Sequence, residues 1–447
     1  MDDARGTALI ILNTRDKNRK TLDSILEDVA DQKTFSKRDR SLLYALVYGV
    51  LRWRGRLDRI IAHFSKTRLD KIAPEVLNIL RLGLFQIVYL DRIPVSAAVN
   101  TSVEMSKQFA APWVVRFVNG VLRNAARGYE TVTFPDIAKH PVSALAADKS
   151  FPEWLIRRWV KQFGPEETRN LCDAVNTIPP ITVRTNTLRT TREKLIKALE
   201  DDAGNIEPAP YAPDGISFSN PRVSLPETEA FKKGWFQVQD EAAQLTACLL
   251  NPQPGDTVLD ACAGLGGKTG HIAQMMKNKG RIVAADKDHK KLMRLSAEME
   301  RLGVSIVTTC VNDLDKPGGQ YPCRLFDRIL LDAPCSGLGV IRRNPDTKWY
   351  LSEPHLKRYK KRQIKFSDNV ARFVKPSGIL VYAVCSTEPE ETHAVTEAFL
   401  RRHPEFVRDP LPATAENWQG TTDKGQLTTS PRDNMDGFFA IRFRRIR

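Results

Sequence analysis

Two hydrophobic runs each end in a thiol, and the two thiols lie fifty positions apart. One run is Leu330-Leu331-Asp332-Ala333-Pro334-Cys335-Ser336, and the other is Val381-Tyr382-Ala383-Val384-Cys385-Ser386-Thr387. Each reads as a buried parallel strand that stops at a Cys, a Ser and a turn. In open α/β sheets the carboxyl ends of the strands border the ligand crevice. Two thiols there point to covalent chemistry, with one sulfur attacking and the other assisting. A strand cysteine is more often a small buried hydrophobe. That reading suffices for Cys172, Cys248, Cys262, Cys310 and Cys323, and would suffice for Cys335 or Cys385 alone. Together, at two strand ends and with Asp332 close by, they favour a site. Pro334 fixes the turn and removes a donor, which constrains the direction of Cys335.

An earlier strand runs into Asp260-Ala261-Cys262-Ala263-Gly264-Leu265-Gly266-Gly267-Lys268-Thr269. A phosphate-binding P-loop would need another Gly five residues before Gly267, where Cys262 stands. The dinucleotide pattern G-x-G-x-x-G fails as well, because Thr269 occupies its last position. What remains is a strand, a Gly-rich turn and a helix, with Asp286 closing the next strand. A carboxylate at that spacing accepts hydrogen bonds from ribose hydroxyls. The combination suits an adenosyl cofactor without a pyrophosphate, S-adenosylmethionine, although a Gly-rich turn alone is as readily a tight structural turn. Asp313 follows the third strand, on the adenine side; an isolated Asp there is more often a turn or cap residue. Asp332 follows the fourth strand, beside the place of methyl transfer.

Methylation of a cytosine at carbon 5 would use this set. That carbon is a poor nucleophile until a thiolate adds to carbon 6. An acid near ring nitrogen 3 assists the addition, a base then removes the carbon 5 proton, and the thiolate leaves. Asp332, Cys335 and Cys385 supply one acid and two thiols.

The elements that must position these groups follow from hydrophobic periodicity. Up to about residue 130 the pattern is helical, as in Leu22, Ile25, Leu26 and Val29, with short connections that imply a helical bundle. A mixed segment follows, with a helix over Glu153–Phe163, a strand over Pro180–Asn186 and a second helix around Thr191–Leu199. The remainder alternates strands (257–262, 281–286, 305–311, 326–332 and 378–385) with helices (267–277, 289–302, 353–373 and 391–401). Such alternation builds a parallel sheet covered on both faces. The final stretch, 436–443, reads as an antiparallel strand at the sheet edge. The expected fold class is therefore α/β, in three parts: an all-α bundle over 1–140, a small α+β adaptor over 150–235 and a Rossmann-like domain over 236–447.

The loop at Asp260–Thr269, Asp332-Ala333-Pro334-Cys335-Ser336-Gly337-Leu338-Gly339 and Tyr382-Ala383-Val384-Cys385-Ser386-Thr387 resemble the RNA cytosine-C5 methyltransferases. So do Arg343-Asn344-Pro345-Asp346-Thr347-Lys348-Trp349, Val238–Ala243 and Asp436-Gly437-Phe438-Phe439. In the front segment, Leu80-Arg81-Leu82-Gly83, Pro94-Val95 and Val118–Arg123 resemble the NusB domain, and the resemblance implies that this bundle is an RNA-binding domain. The pairing resembles the RsmB (Sun/Fmu) family, bacterial enzymes that methylate a cytosine of 16S ribosomal RNA. The resemblance implies that Cys385 is the nucleophile, that Cys335 assists release and that Asp332 contacts the base beside the cofactor. It further implies that Cys262, Ala263, Gly264, Leu265, Gly266, Gly267 and Lys268, with Asp286, Asp313 and Asp332, hold S-adenosylmethionine. Gly264-Leu265 and Val384 depart from the usual family residues, Ala-Pro and Thr.

Charge points to the same partner. With 68 Lys and Arg against 53 Asp and Glu, the 447-residue chain carries a formal +15, which favours a polyanion. Small-subunit ribosomal RNA is the expected partner. Arg342, Arg343 and Lys348 are candidate phosphate contacts beside a flipped base. Further basic clusters are Lys37, Arg38 and Arg40, then Arg52 to Arg56, Lys357 to Lys365 and the tail Arg442, Arg444, Arg445 and Arg447; each is as readily a solvated face. No apolar run approaches a membrane span, the acidic start lacks a secretory h-region, and the scattered cysteines lack zinc spacing. A reduced, cytoplasmic, metal-free monomer is expected. Two other readings remain open at this level: the same chemistry on tRNA, and a non-catalytic RNA-binding or assembly factor.

Overall fold

Periodic apolar positions with Pro at the first turn start several helices at defined places, namely Pro74, Pro112 and Pro141, because the missing N–H is one the helix leaves unpaired there anyway. The computed structural model describes residues 4–18, 20–30, 35–109, 111–316, 320–412, 418, 421–422 and 425–447. The chain forms two compact units. The first comprises Met1–Thr177 together with Ile341–Leu351, and the second comprises Ile178–Val340 with Ser352–Arg447.

The first unit is helical: Ala4–Lys17, Leu22–Ala30, Lys37–Phe64, Pro74–Tyr89, Val95–Ser106, Pro112–Gly128, Pro141–Lys149 and Glu153–Asn176. Ser36 caps the longest helix by accepting from Asp39 N. The helices close on a core that includes Leu46, Leu57, Ile79, Leu82 and Leu122. Gly83 marks a close crossing, since a Cβ there would lie 2.6 Å from Ser102 Oγ and 2.7 Å from Leu122 Cδ1. The helix expected over Glu153–Phe163 continues to Asn176 through a kink at Gly164-Pro165, and it belongs to this helical unit. Periodicity stops at Gly164, which takes a φ of 82°.

The second unit holds two sheets. In the smaller, β1 (Ile181–Thr185), β2 (Gly204–Pro208), β3 (Gly215–Ser219) and β4 (Phe236–Val238) run antiparallel in the order β2-β3-β1-β4. In the larger, β5 (Thr257–Asp260), β6 (Arg281–Asp286), β7 (Val307–Val311), β8 (Phe326–Asp332) and β9 (Val374–Val384) are parallel. Beyond them lie β10 (Phe406–Arg408), β11 (Thr421–Thr422), β12 (Gln426–Thr428) and β13 (Phe439–Arg445). The order is β11-β12-β13-β9-β8-β5-β6-β7, with β10 also on β13. The chain reverses direction across the sheet between β5 and β8, the place where such sheets take ligands. β13 is antiparallel to β9 as expected, but it is not an edge strand: β10 and β12 cover its other side. Among the described residues no helix is long and apolar enough to cross a membrane.

Arg184 of β1 joins the small sheet to the start of helix Gly267–Met275. It is buried and donates to Gln237 Oε1 at 2.9 Å, Gln274 Oε1 at 3.1 Å and Gly267 O at 2.9 Å, and to Gln239. Five N–H donors with this many acceptors make a buried guanidinium tolerable.

Ile341–Leu351 is embedded in the helical unit. Lys348 is 0% exposed; its Nζ donates to Arg52 O at 2.9 Å and lies 3.9 Å from the Phe151 ring centre, and burial, with Arg52 nearby, holds its pKa well below the ordinary lysine value. Arg52 Nη2 returns a bond to Arg342 O at 2.6 Å, Trp349 Nε1 donates to Leu51 O at 2.6 Å, and Arg15 pairs with Asp346 at 2.9 Å. Lys348→Ala should lower the unfolding free energy by about 2–4 kcal/mol, because it leaves a cavity and removes a buried hydrogen bond. Lys348→Met, which keeps the volume, should cost less. Thermal unfolding of the two variants checks the order; equal stability of Lys348→Ala and the parent would refute this strut role.

Candidate active site

Parallel pairing of β8 with β9 sets Asp332 opposite Ala383, so the two motif loops leave the sheet side by side. Ala333 N extends the ladder by donating to Ala383 O at 2.8 Å. The outcome is that Cys335 Sγ and Cys385 Sγ lie 3.1 Å apart. The Cys385 contact, burial and the nearby Glu391 carboxylate hold the Cys335 thiol well above its ordinary pKa, so Cys335 keeps its proton.

A buried acid fixes the Cys335 loop. Glu391, 0% exposed, accepts from Ser336 N at 2.9 Å, Ser336 Oγ at 2.5 Å and Gln363 Nε2 at 2.9 Å. Gln363 Nε2 also donates to Pro334 O at 3.1 Å. On the other side Gly339 N donates to Cys385 O at 3.0 Å and Gly437 N to Gly339 O at 2.8 Å. A Cβ on Gly339 would sit 1.8 Å from Gly437 O, so only glycine permits this approach. Glu391 and Gln363 have no signal in the sequence beyond a Glu shortly after the second thiol, which marks a helix start.

Asp332 at the end of β8 pairs with Lys268 across the β5–β8 boundary, Nζ to Oδ2 at 2.6 Å. Burial works against the Lys268 ammonium, but the Asp332 carboxylate outweighs it and raises the pKa. Lys268 also lies 5.2 Å from the Phe438 ring centre. Ala261 N donates to Leu330 O and Ala263 N to Ala285 O, each at 2.9 Å, which draws the Gly-rich loop against both neighbouring strands. Gly264 and Gly266 take φ values of 55° and 86°, which a side chain would resist. Asp286 accepts from Gly264 N at 3.0 Å and from Asp288 N at 2.9 Å. Asp313 accepts from Asp315 N at 3.0 Å, the contact of a turn residue.

Thus Cys262 to Lys268, Asp286, Asp332, Cys335 and Cys385 converge on the carboxyl ends of β5, β6, β8 and β9. Arg342 and Lys348 do not. Both are buried within the helical unit, where Lys348 Nζ donates to a backbone carbonyl, so neither is a phosphate contact. Arg343 is half-buried in the same segment. Of the expected basic faces, Arg54 pairs with Asp16 at 3.0 Å and Arg56 with Asp148 at 3.2 Å. In the tail, Arg442 and Arg444 both pair with Asp409. Cys172 and Cys248 are buried, and burial pushes each thiol up to about 12; Cys310 and Cys323 are partly exposed.

The 16S rRNA methyltransferase RsmB/F family matches residues 247–444, the NusB family residues 2–127, and the ferredoxin-like domain of RsmF/B-like methyltransferases residues 151–224. A probable ribosomal RNA small subunit methyltransferase B from Synechocystis sp. is 34% identical over 98% of both chains. The chain belongs to the ribosomal RNA small subunit methyltransferase B family. The Bacillus subtilis relative of the same description is 35% identical over 99% of this chain and 98% of its own. The crystal structure of PH0851 superposes with a TM-score of 0.81 and 27% identity over 98% of each chain. As a family member the chain is an RNA methyltransferase that uses S-adenosylmethionine.

The residues present fit that cofactor. Asp260 is buried, with Thr269 Oγ1 donating to its Oδ2 at 2.7 Å, while its Oδ1 has no partner. An open acceptor beneath a Gly-rich loop, with Asp286 at the adjoining strand end, suits a ligand that carries ammonium and hydroxyl donors. Burial pushes the Asp260 carboxyl up to about 7. Between about pH 4, the unfolded value, and about pH 7 the folded chain therefore holds a proton that the unfolded chain has released. Stability of the ligand-free protein should fall as pH rises through that window. Asp260→Asn should make that slope shallower and raise the unfolding temperature at pH 8; an unaltered pH profile would refute the assignment.

Proposed function

We propose that this chain methylates carbon 5 of one cytosine in 16S ribosomal RNA through a transient bond between Cys385 Sγ and carbon 6. The observation that carries the reading is the 3.1 Å approach of the two thiols beside the Asp332–Lys268 pair. A cytosine flipped from its stack would place its carbon 6 at Cys385 and its nitrogen 3 edge at Asp332. When bound, S-adenosylmethionine supplies the methyl group as an electrophile.

The chain's own residues do the rest. Cys335 keeps its proton and can donate to the neighbouring sulfur, which supports giving attack to Cys385. As Cys385 adds, its thiol proton is given up and nitrogen 3 gains one; the Asp332 carboxylate, held in place by Lys268, accepts a hydrogen bond from the resulting N3–H. As Cys385 adds at carbon 6, carbon 5 becomes nucleophilic and takes the methyl group. Transfer of the carbon 5 proton to water then expels Cys385 as thiolate, which Cys335 assists by donating its S–H to the departing sulfur. Cys262 to Lys268, with Asp286 and Asp313, hold the cofactor. Ribosomal RNA as the substrate places the enzyme in the cytoplasm.

The thiols are separable by experiment. Cys385→Ala should abolish methylation and form no adduct. Cys335→Ala should accumulate a denaturation-resistant protein–RNA adduct, seen as a slow-migrating band on denaturing gels. Normal turnover by Cys385→Ala would overturn the mechanism. Asp286→Ala should weaken S-adenosylmethionine binding by about tenfold or more in calorimetry, the loss of a charged hydrogen-bond partner; unchanged affinity would remove Asp286 from the site.

A further inference from the structure

Helix Pro112–Gly128 buries Val114, Val118, Val121, Leu122 and Ala125 against the helical unit. The opposite face carries Trp113, Arg116, Gly120, Arg123, Asn124 and Arg127, all exposed. At about 100° per residue these positions fall within roughly one third of the helix circumference. Trp113 is 63% exposed, where an indole is costly to leave unless something covers it. Arg123 donates to Asn119 Oδ1 at 2.9 Å, and among the described residues no carboxylate pairs with Arg116, Arg123 or Arg127. A Cβ on Gly120, between these arginines, would meet nothing within 4 Å. The surface thus joins three unneutralised guanidinium groups, which span about 16 Å along the axis, to one exposed aromatic ring and a shallow gap.

We propose that this face is a second RNA-binding surface, with Arg116, Arg123 and Arg127 on phosphates and Trp113 stacked on an unpaired base. Charge decides the occupant. Guanidinium pairs bidentately with phosphate, an indole stacks on any base, and the whole chain carries +15. An acidic protein would satisfy the arginines but gives no reason for an isolated, solvent-facing Trp at their end. The inference rests on the reading of ribosomal RNA as substrate for the choice of RNA. It places a contact on the helical unit, separate from the crevice that receives the target base.

The test measures affinity of the full chain for undermethylated 16S RNA over a range of salt concentrations. R116E/R123E/R127E should bind about tenfold or more weakly near 0.15 M salt, and its log–log salt slope should be shallower by about 2 to 3, at 0.7–0.9 per phosphate lost. The neutral triple variant R116Q/R123Q/R127Q should lose the same slope with a smaller loss of affinity. Trp113→Ala should weaken binding about 5- to 150-fold without altering the slope, as removal of a stacking platform does. Each variant should retain the parent's unfolding temperature, because the side chains are exposed. In methylation, KM for RNA should rise while kcat holds. Parental affinity and slope in the folded triple variants would overturn the proposal, whatever the outcome for methylation. Absence of 5-methylcytosine with the parent protein would instead sink the catalytic reading and leave the binding comparison intact.

Discussion

The site depends on one pairing, that of β8 with β9. These strands are distant in sequence, and parallel register fixes which residues meet at their ends. With Asp332 opposite Ala383, the first thiol loop and the second thiol emerge from adjacent strands and the sulfurs come within 3.1 Å. A slip of one residue would turn each side chain to the other face of the sheet. The buried Tyr382 hydroxyl, which donates to Glu391 O at 2.7 Å, opposes such a slip. The remaining supports act on the loops rather than on the strands. Glu391 and Gln363 hold Pro334 and Ser336 from one side, and the contact of Gly339 with Gly437 holds the loop from the other.

Positive charge serves two purposes in this chain, and burial separates them. Arg184, Arg52 and Lys348 are buried, and each donates to amide or carbonyl oxygens. Such groups are costly to desolvate and are tolerated because their donors find acceptors. They act as struts inside their units. The charge free to meet a polyanion lies elsewhere. Lys357, Arg358 and Lys361 are exposed on helix Glu353–Ala371, and the arginines of helix Pro112–Gly128 face solvent. Composition reports only the sum of these roles, which is why a net charge of +15 predicted the class of partner but not the contacting residues.

The elements of the α/β region were legible because strand alternation and helix periodicity are local. β6, β8 and helix His289–Leu302 fall where the pattern places them. Two features were not legible. The terminal strand β13 reads as an edge strand, yet Arg442 and Arg444 share Asp409 and β10 and β12 cover it. Arg342 and Lys348 look like phosphate ligands because a basic residue after a catalytic motif usually faces solvent. Here the segment is part of the helical core, and only long-range packing against Leu51, Arg52 and Phe151 shows it.

By itself the sequence determined the chemistry's inventory: two thiols and an acid at strand ends, a Gly-rich turn and a carboxylate at ribose spacing. Residue type and strand position are written along the chain, and the reactivity of a thiol or a carboxylate is a property of the residue. Tertiary structure alone decided the environment of those groups. It paired the sulfurs, set the buried Glu391 behind Cys335, joined Lys268 to Asp332 and left the Asp260 carboxyl half-satisfied. Each of these depends on which distant segment supplies the neighbour, and pKa and hydrogen bonding are set by neighbours rather than by sequence spacing.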